Sequence, residues 1–271
     1  MKNLIKINTD TNLYFSISSV PSNKGSNLHN FIFKKYSINS IYIPLAVNNL
    51  NSFLNFAKDI NIAGFSVSMP FKKKIIKFLF KKSTEVLSTN SCNTVLIENS
   101  KLIGFNTDYI AIEKILKKNK KFKNKKIQIL GYGATCKTVI IVLKKLGFKH
   151  INVFARNREF KNKKNYSIFP WSYRNQKKFD ILINTTSIGM NRTKIDKCPI
   201  TKKNILHKKL IIDFPIANKK TTSLELESKK LGIKYFSGKD IHFLQGVSQS
   251  QIYLKKKIGF KIQKMLKNKL Y

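Results

Sequence analysis

The sequence predicts an α/β protein of two domains, and three observations carry that reading. A chain of 271 residues that is 42% hydrophobic can bury two ordinary cores. From Leu13 to Val67, short apolar runs alternate with helical spacings in the β-α-β-α-β rhythm of an open, largely parallel sheet. At Ile127-Gln128-Ile129-Leu130 a branched apolar run passes through Gly131-Tyr132-Gly133 into Ala134 and small or apolar residues, which reads as a buried strand, a tight turn and a helix start.

In the first domain, strands are expected at Leu13–Ser18, Ser40–Pro44 and Ala63–Val67. Asn27 is placed to cap a helix through Phe31, Phe33 and Tyr36, and Leu50, Phe53, Leu54 and Ala57 repeat at helical spacing. Pro70 stops the sheet and pre-sets the first turn of a helix. That places Ser68 and Lys72 near the carboxyl end of the third strand, where ligands of open α/β sheets gather. Residues 91–97 and 101–104 alternate like two strands joined by a turn. Asn106 or Thr107 can then cap a helix from about Tyr109 to Lys117. The lysine-rich stretch Lys117–Lys126 reads as a linker, giving domains of 1–117 and 118–239, with the C-terminal segment from about 240 to 271 completing the first.

In the second domain a helix from Thr135 to Leu146 ends at Gly147, and a strand, His150–Ala155, runs into Arg156-Asn157-Arg158. Backbone N–H groups at a helix N-terminus favour an anion, and a dinucleotide pyrophosphate fits there. The third glycine of the usual fingerprint is Cys136, so cofactor binding and a ligand-free glycine turn both remain open from this stretch alone. An acidic residue at the end of the following strand selects NAD, whereas Arg accommodates a 2′-phosphate. Arg156 and Arg158 therefore favour NADP over NAD. Further strands are expected at Lys178–Asn184 and Leu210–Asp213, the former ending in the small polar turn Thr185–Met190. A helix with Leu224 and Leu231 closes at Gly232. An apolar helix follows Gly238, and an amphipathic tail from Ile258 to Leu270 packs back on the first domain.

The net charge of +40 invites a nucleic-acid reading. Arginine, however, occurs only at 156, 158, 174 and 192, and lysine is spread along the chain with Asn, Ile, Phe and Tyr. A nucleic-acid binder concentrates basic residues on one element and uses Arg for bidentate contacts. The lysines read instead as solvated faces, with no specific nucleic-acid partner. Cys92, Cys136 and Cys198 lack metal-ligand or disulfide spacing, so no metal is expected. No run of eighteen apolar residues suggests a membrane span, and residues 1–8 do not read as a secretion signal. A cytoplasmic monomer or homodimer acting on a small molecule is expected.

Taken in order, the motifs resemble the shikimate dehydrogenases. Ser66-Val67-Ser68-Met69-Pro70-Phe71-Lys72 looks like that family's substrate motif ending in the catalytic lysine. Ser91-Cys92-Asn93-Thr94 resembles its Ala-x-Asn-Thr, and Asn106-Thr107-Asp108 its Asn-Thr-Asp. Gly131-x-Gly133-Ala134 stands at the cofactor loop, and Asn184–Met190 resembles Asn-Ala-Thr-x-x-Gly-Met. Gln245-Gly246 corresponds to a glutamine that hydrogen-bonds substrate. The resemblance implies an N-terminal substrate domain, a Rossmann-type NADP(H) domain, and NADPH-dependent reduction of 3-dehydroshikimate to shikimate. Lys72 and Asp108 would be catalytic, and Ser68, Asn93 and Gln245 would bind substrate. Gly131, Gly133, Ala134, Arg156, Asn157, Arg158, Thr186, Ser187, Gly189, Met190 and Gly238 would hold the cofactor.

The chain departs from the family pattern at several places. The family's Ser-x-Ser-Pro-x-x-His, whose serines hold the substrate carboxylate, corresponds to Asn23–His29, so both serines are missing there; Ser22 or Ser26 could substitute after a small loop shift, with Lys24 contributing charge. Ser66 stands for an Asn, Ile216 for a Tyr, and Asp240 and Ile241 for the usual Gly and Met. Two alternatives remain: a quinate/shikimate dehydrogenase using NAD, and a degenerate basic α/β protein that binds anions such as RNA without catalysis.

Overall fold

The computed structural model describes residues 7–60, 62–190, 197–216 and 221–270. Residues 1–6, on which most of the secretion-signal reading rests, lie outside that set. The chain forms two compact units, Met1–Ala111 with Phe243–Tyr271, and Ile112–His242. The sequence reading had set the divisions at 117/118 and near 239/240.

The first unit runs β1 (Asn12–Ser18), α1 (Asn23–Lys35), β2 (Ser40–Ala46), α2 (Leu50–Asp59), β3 (Gly64–Val67), β4 (Lys81–Lys82), α3 (Thr84–Thr89), β5 (Thr94–Glu98) and β6 (Lys101–Phe105), and ends within α4 (Thr107–Lys117), whose residues from Ile112 on belong to the second. Its strand order is β2-β1-β3-β5-β6-β4. β2, β1 and β3 are parallel, with Ser16 opposite Ser66, while β5 pairs antiparallel with both β3 and β6. The connection after β1 therefore runs to one side, toward β2, and the connection after β3 to the other, toward β4. Such a switch point opens a crevice beyond the strand carboxyl ends, and Ser18 and Ser68 lie there. The core behind it packs Phe15, Ile17, Phe53, Phe65, Val67, Phe71 and Ile75.

Two local expectations fail here. α1 begins at Asn23 after Ser22, not after Asn27, because the chain tolerates Lys24 and Gly25 inside the first turns once Leu28, His29, Ile32 and Phe33 are buried. No α-helix follows Pro70. The Met69–Pro70 peptide is cis, and the chain makes a tight turn closed by Phe71 N–H to the Ser68 carbonyl (2.9 Å), then a 3-10 turn at Lys74–Phe78.

The second unit contains β7 (Ile127–Leu130), α5 (Ala134–Lys145), β8 (Ile151–Ala155), β9 (Lys161–Lys163), β10 (Tyr166–Pro170), β11 (Ile181–Asn184), α6 (Lys202–Ile205), β12 (Leu210–Asp213), α7 (Ser223–Lys230) and β13 (Lys234–Phe236). The sheet order is β13-β12-β11-β7-β8-β10-β9, all parallel except β9. Excluding β9, this is the doubly wound order of dinucleotide-binding folds, with its switch point between β7 and β11. Gly131 and Thr185 follow those two strands directly.

α8 (Gly238–Tyr253) and α9 (Phe260–Leu270) end the chain. Leu266 and Ile258 pack with Leu28, Ile32 and Val247, so the amphipathic tail covers α1 as expected. Asp240 closes a capping box: its Oδ2 accepts from Ser237 N–H (2.9 Å) and Oγ (2.7 Å), and Ser237 Oγ accepts from Asp240 N–H (3.2 Å). This gives the Asp at that position a structural reason.

Candidate active site

Lys72 sits on the loop after β3. Phe71 (2% exposed) and Ile75 (0%) anchor that loop in the core, and burial of such side chains contributes about 1.5–3 kcal/mol each. Lys72 Nζ donates to Asp108 Oδ2 at 2.6 Å, and both side chains are partly exposed. Asp108 occupies the first turn of α4, where the helix dipole favours a carboxylate. Asn106 Oδ1 accepts from Tyr109 N–H at 3.2 Å and caps that turn.

Asn93 joins the two halves of this pair. Cys92 N–H donates to the Lys72 carbonyl (2.9 Å), and Asn93 Oδ1 accepts from Thr107 N–H (2.8 Å), beside Asp108. Asn93 is 2% exposed. Its Oδ1 is saturated by Thr94 Oγ1 (2.9 Å), Thr107 N–H and Thr107 Oγ1 (3.1 Å). Its Nδ2 has no partner among the described residues. A buried donor left alone costs about 1–3 kcal/mol, and such an exception in a native protein calls for a ligand or water acceptor.

Gln245 is half-buried on α8, one turn before Gln249, so the two share a face. Gln249 Nε2 donates to the Asn93 carbonyl (3.2 Å) and Thr94 Oγ1 (2.9 Å), which places that face against Asn93. Ser68 is exposed at the mouth of the β1/β3 crevice. Of the two serines offered for an acid group, Ser26 is 9% exposed and its hydroxyl donates to the Asn23 carbonyl (3.0 Å). Its proton is thereby committed to its own helix. Ser22 is exposed and its side chain makes no capping bond. Gly25, where the resemblance puts a serine, packs on Tyr42: a Cβ there would lie 3.4 Å from Cε1 and 3.6 Å from the hydroxyl. Ser66 is drawn away from the crevice, hydrogen-bonded to the Tyr42 hydroxyl and to that of Tyr253 (3.2 Å). Burial pushes the Tyr42 phenol up to about 12, so it stays protonated.

In the second unit Gly131 has φ +93°, and a Cβ would meet Thr185 Oγ1 at 3.0 Å, so the turn requires glycine. Gly133, the residue before α5, faces open space. It offers no side-chain cap to the first-turn N–H groups, and that turn carries no acidic side chain. Those donors and the helix dipole fit a phosphate group. Arg156, Asn157 and Arg158 line an open cavity of about 840 Å3 together with Tyr132 of the glycine turn. The Arg158 guanidinium lies 5.7 Å from the Tyr132 ring centroid. The arginines and the glycine loop thus share one cavity, in keeping with a phosphorylated dinucleotide. Thr186 Oγ1 donates to Asn184 Oδ1 (2.7 Å), shaping the turn that leaves Ser187 and Met190 exposed, with Gly189 at φ +101°. Gly238 packs so tightly that a Cβ would lie 2.4 Å from the Phe214 carbonyl oxygen. Among the described residues no group of His, Cys, Asp and Glu could hold a metal, and no helix is long and apolar enough to cross a membrane. Cys92, Cys136 and Cys198 are free thiols.

The shikimate dehydrogenase substrate-binding domain matches residues 18–95. A shikimate dehydrogenase-like protein of Haemophilus influenzae is 31% identical over 91% of this chain and 92% of its own. A shikimate dehydrogenase (NADP(+)) of Pyrococcus furiosus is 33% identical over 76% of each chain. The chain belongs to the shikimate dehydrogenase family. A solved shikimate 5-dehydrogenase-like protein superposes with a TM-score of 0.89 at 29% identity, covering 98% of this chain and 99% of that one.

As a member of the shikimate dehydrogenase family, the chain is an oxidoreductase, and the motifs singled out from sequence fall into two groups. Lys72, Asn93 and Asp108 are drawn together in one unit, and the glycine loop and arginines in the other. Sequence reasoning placed His29 at the end of a family motif without giving it a role, and missed Gln249, which stands with it behind Asn93, and Lys161 and Lys163, which line the arginine cavity. Helical spacing from Gln245 was the signal for Gln249; nothing local pointed to the lysines in so lysine-rich a chain.

Proposed function

We propose that this chain reduces the ketone of 3-dehydroshikimate to the hydroxyl of shikimate with NADPH, Lys72 and Asp108 being the catalytic pair. The observation that carries the reading is the 2.6 Å Lys72–Asp108 ion pair set beside the unpartnered Asn93 amide. NADPH supplies the hydride. Gly131, Gly133 and Ala134 would cradle its pyrophosphate, and Arg156 and Arg158 would pair with its 2′-phosphate. The name of the Pyrococcus furiosus relative, which specifies NADP(+), supports that choice. Thr186, Ser187, Gly189, Met190, Asn157 and Gly238 complete the cofactor face.

Lys72 holds the substrate carbonyl oxygen and stabilises the negative charge that grows there as the carbon accepts hydride. The oxygen is protonated along the same hydrogen bond, so one hydride and one proton are consumed per ketone. Asp108 orients Lys72 and accepts from a substrate hydroxyl, while Asn93 and Gln245 bind the remaining hydroxyls. Ser68 and Ser22 supply hydroxyls toward the acid group, since Ser26 is tied to α1.

The deciding assay follows NADPH consumption with 3-dehydroshikimate for the wild type and for Lys72→Ala. Turnover by the wild type that collapses in the variant is expected. A wild type that binds NADPH and turns over nothing would sink the enzymatic reading.

A further inference from the structure

Behind Asn93 runs a buried chain of hydrogen bonds whose directions are set by two backbone groups, the Asn93 carbonyl and the Thr107 N–H. The Asn93 carbonyl can only accept, so Gln249 must turn its NH2 toward it (3.2 Å) and toward Thr94 Oγ1 (2.9 Å). Gln249 Oε1 then faces His29 Nε2 at 3.3 Å, and an amide oxygen only accepts, so His29 carries its proton on Nε2. In the neutral imidazole His29 Nδ1 is then the acceptor and takes a proton from Ser250 Oγ at 2.7 Å. At the far end Thr107 N–H can only donate, so Asn93 must turn Oδ1 to it (2.8 Å). Thr94 Oγ1, already accepting from Gln249, adds its own proton to the same oxygen at 2.9 Å. His29 is 0% exposed and Gln249 4%, so water does not compete for these bonds.

We infer that His29 and Gln249 are positioning residues that, by directing the Thr94 hydroxyl proton onto Asn93 Oδ1, reinforce the orientation set by the Thr107 N–H and hold Asn93 as a one-way donor, so that the ligand atom seated at Nδ2 must be an acceptor. An isolated Asn amide presents oxygen or nitrogen with equal ease. Here a flip would set Nδ2 against the Thr107 N–H and leave the Thr94 and Thr107 hydroxyls, 3.3 Å apart, to share one proton-accepting contact between them. The relay therefore selects ligands by the polarity of one atom rather than by size, and it does so from side chains that never touch the ligand. Its consequence for catalysis rests on the reading of Asn93 as a substrate contact; its existence does not.

Two measurements on the intact chain test it. Long-range 1H–15N correlation at neutral pH reports the His29 tautomer, and a bare Nδ1 with a protonated Nε2 is expected. The opposite tautomer, or an imidazolium, overturns the relay whether or not the chain is a dehydrogenase. The second is a double-mutant cycle read in substrate Kd. Gln249→Met should weaken 3-dehydroshikimate binding about tenfold, the order of a net hydrogen bond, and leave NADPH Kd unchanged. In an Asn93→Ala background the same change should add nothing. Losses that add in the two backgrounds, or that fall equally on NADPH, show general support of the fold and overturn the proposal. Should Gln249→Met fail to fold, Gln249→Glu keeps an acceptor for His29 but loses the donors to Asn93 and Thr94. The same weakening is expected, and unchanged binding overturns the relay. If the wild type does not bind 3-dehydroshikimate at all, the assigned substrate fails, and the tautomer alone decides the relay.

Discussion

Lys72 and Asp108 stand 36 positions apart in sequence yet meet at 2.6 Å, because the loop after β3 and the first turn of α4 are both pinned around Asn93. The pair is partly exposed, and an ion pair of that kind contributes at most about 1 kcal/mol to stability. A close pair with little structural value is well placed to serve chemistry. Lys72→Ala is expected to lower kcat by about 10²–10⁴ with little change in the unfolding midpoint, read by steady-state kinetics beside thermal denaturation. A large fall in stability with unchanged kcat would make the pair structural.

Asp213 gives the second unit a pH signature. It is 1% exposed and accepts from Tyr235 Oη (2.6 Å), Asn184 Nδ2 (2.7 Å) and Thr222 Oγ1 (3.3 Å). Burial outweighs these bonds and pushes its carboxyl up to about 6. The folded state thus holds this proton more tightly than the unfolded state does. The associated stability is fully present below about pH 4 and is lost as pH rises through about 6. The shift corresponds to about 3 kcal/mol. Other acids titrate in the same window, so the useful quantity is a difference. The stability of Asp213→Asn relative to wild type should rise between pH 4 and 6 by up to about 3 kcal/mol, measured by denaturant unfolding. A difference flat in pH would refute the shift.

Strands announced by branched apolar runs, such as Ile127–Leu130 and Leu210–Asp213, were legible because burial on both faces leaves little choice of residue. β9 was not: Lys161–Lys163 is wholly exposed, and its pairing with β10 is decided by the backbone ladder rather than by side chains. Lys72, Asn93 and Asp108 were legible as separate motifs, each at the end of an element. Their support was not, since His29 and Gln249 meet across 220 positions and a polar residue on a helix does not reveal which neighbour it faces. Asp240 read as a departure from the family pattern until its cap to Ser237 was seen.

That cap is itself testable. Asp240→Ala removes the acceptor for Ser237 N–H and Oγ at the start of α8, the helix that also carries Gln245 and Gln249. A loss of about 0.5–2 kcal/mol is expected, read by chemical denaturation, with Asp240→Asn recovering part of it. No loss would mean that tertiary packing alone starts the helix there.

Arg156 provides the sharpest test of the cofactor. The second unit shares one cavity of about 840 Å3 among Arg156, Arg158 and Tyr132 of the glycine turn. NADPH and NADH differ only at the 2′-phosphate, so an interaction with that group appears in one affinity and not in the other. A charge-assisted bond is worth about 1.5–3 kcal/mol, so Arg156→Ala should weaken NADPH by about 10–100-fold while NADH changes little. The effect should shrink at high salt, because these side chains are exposed and their charges are screened. Titration calorimetry of both nucleotides at two ionic strengths separates the cases. Equal losses for NADPH and NADH would place the guanidinium against the shared part of the dinucleotide. A loss for NADPH alone that persists at high salt would instead mean that Arg156 is desolvated in the complex, enclosed with the phosphate by β9 and the side chains of Lys161 and Lys163.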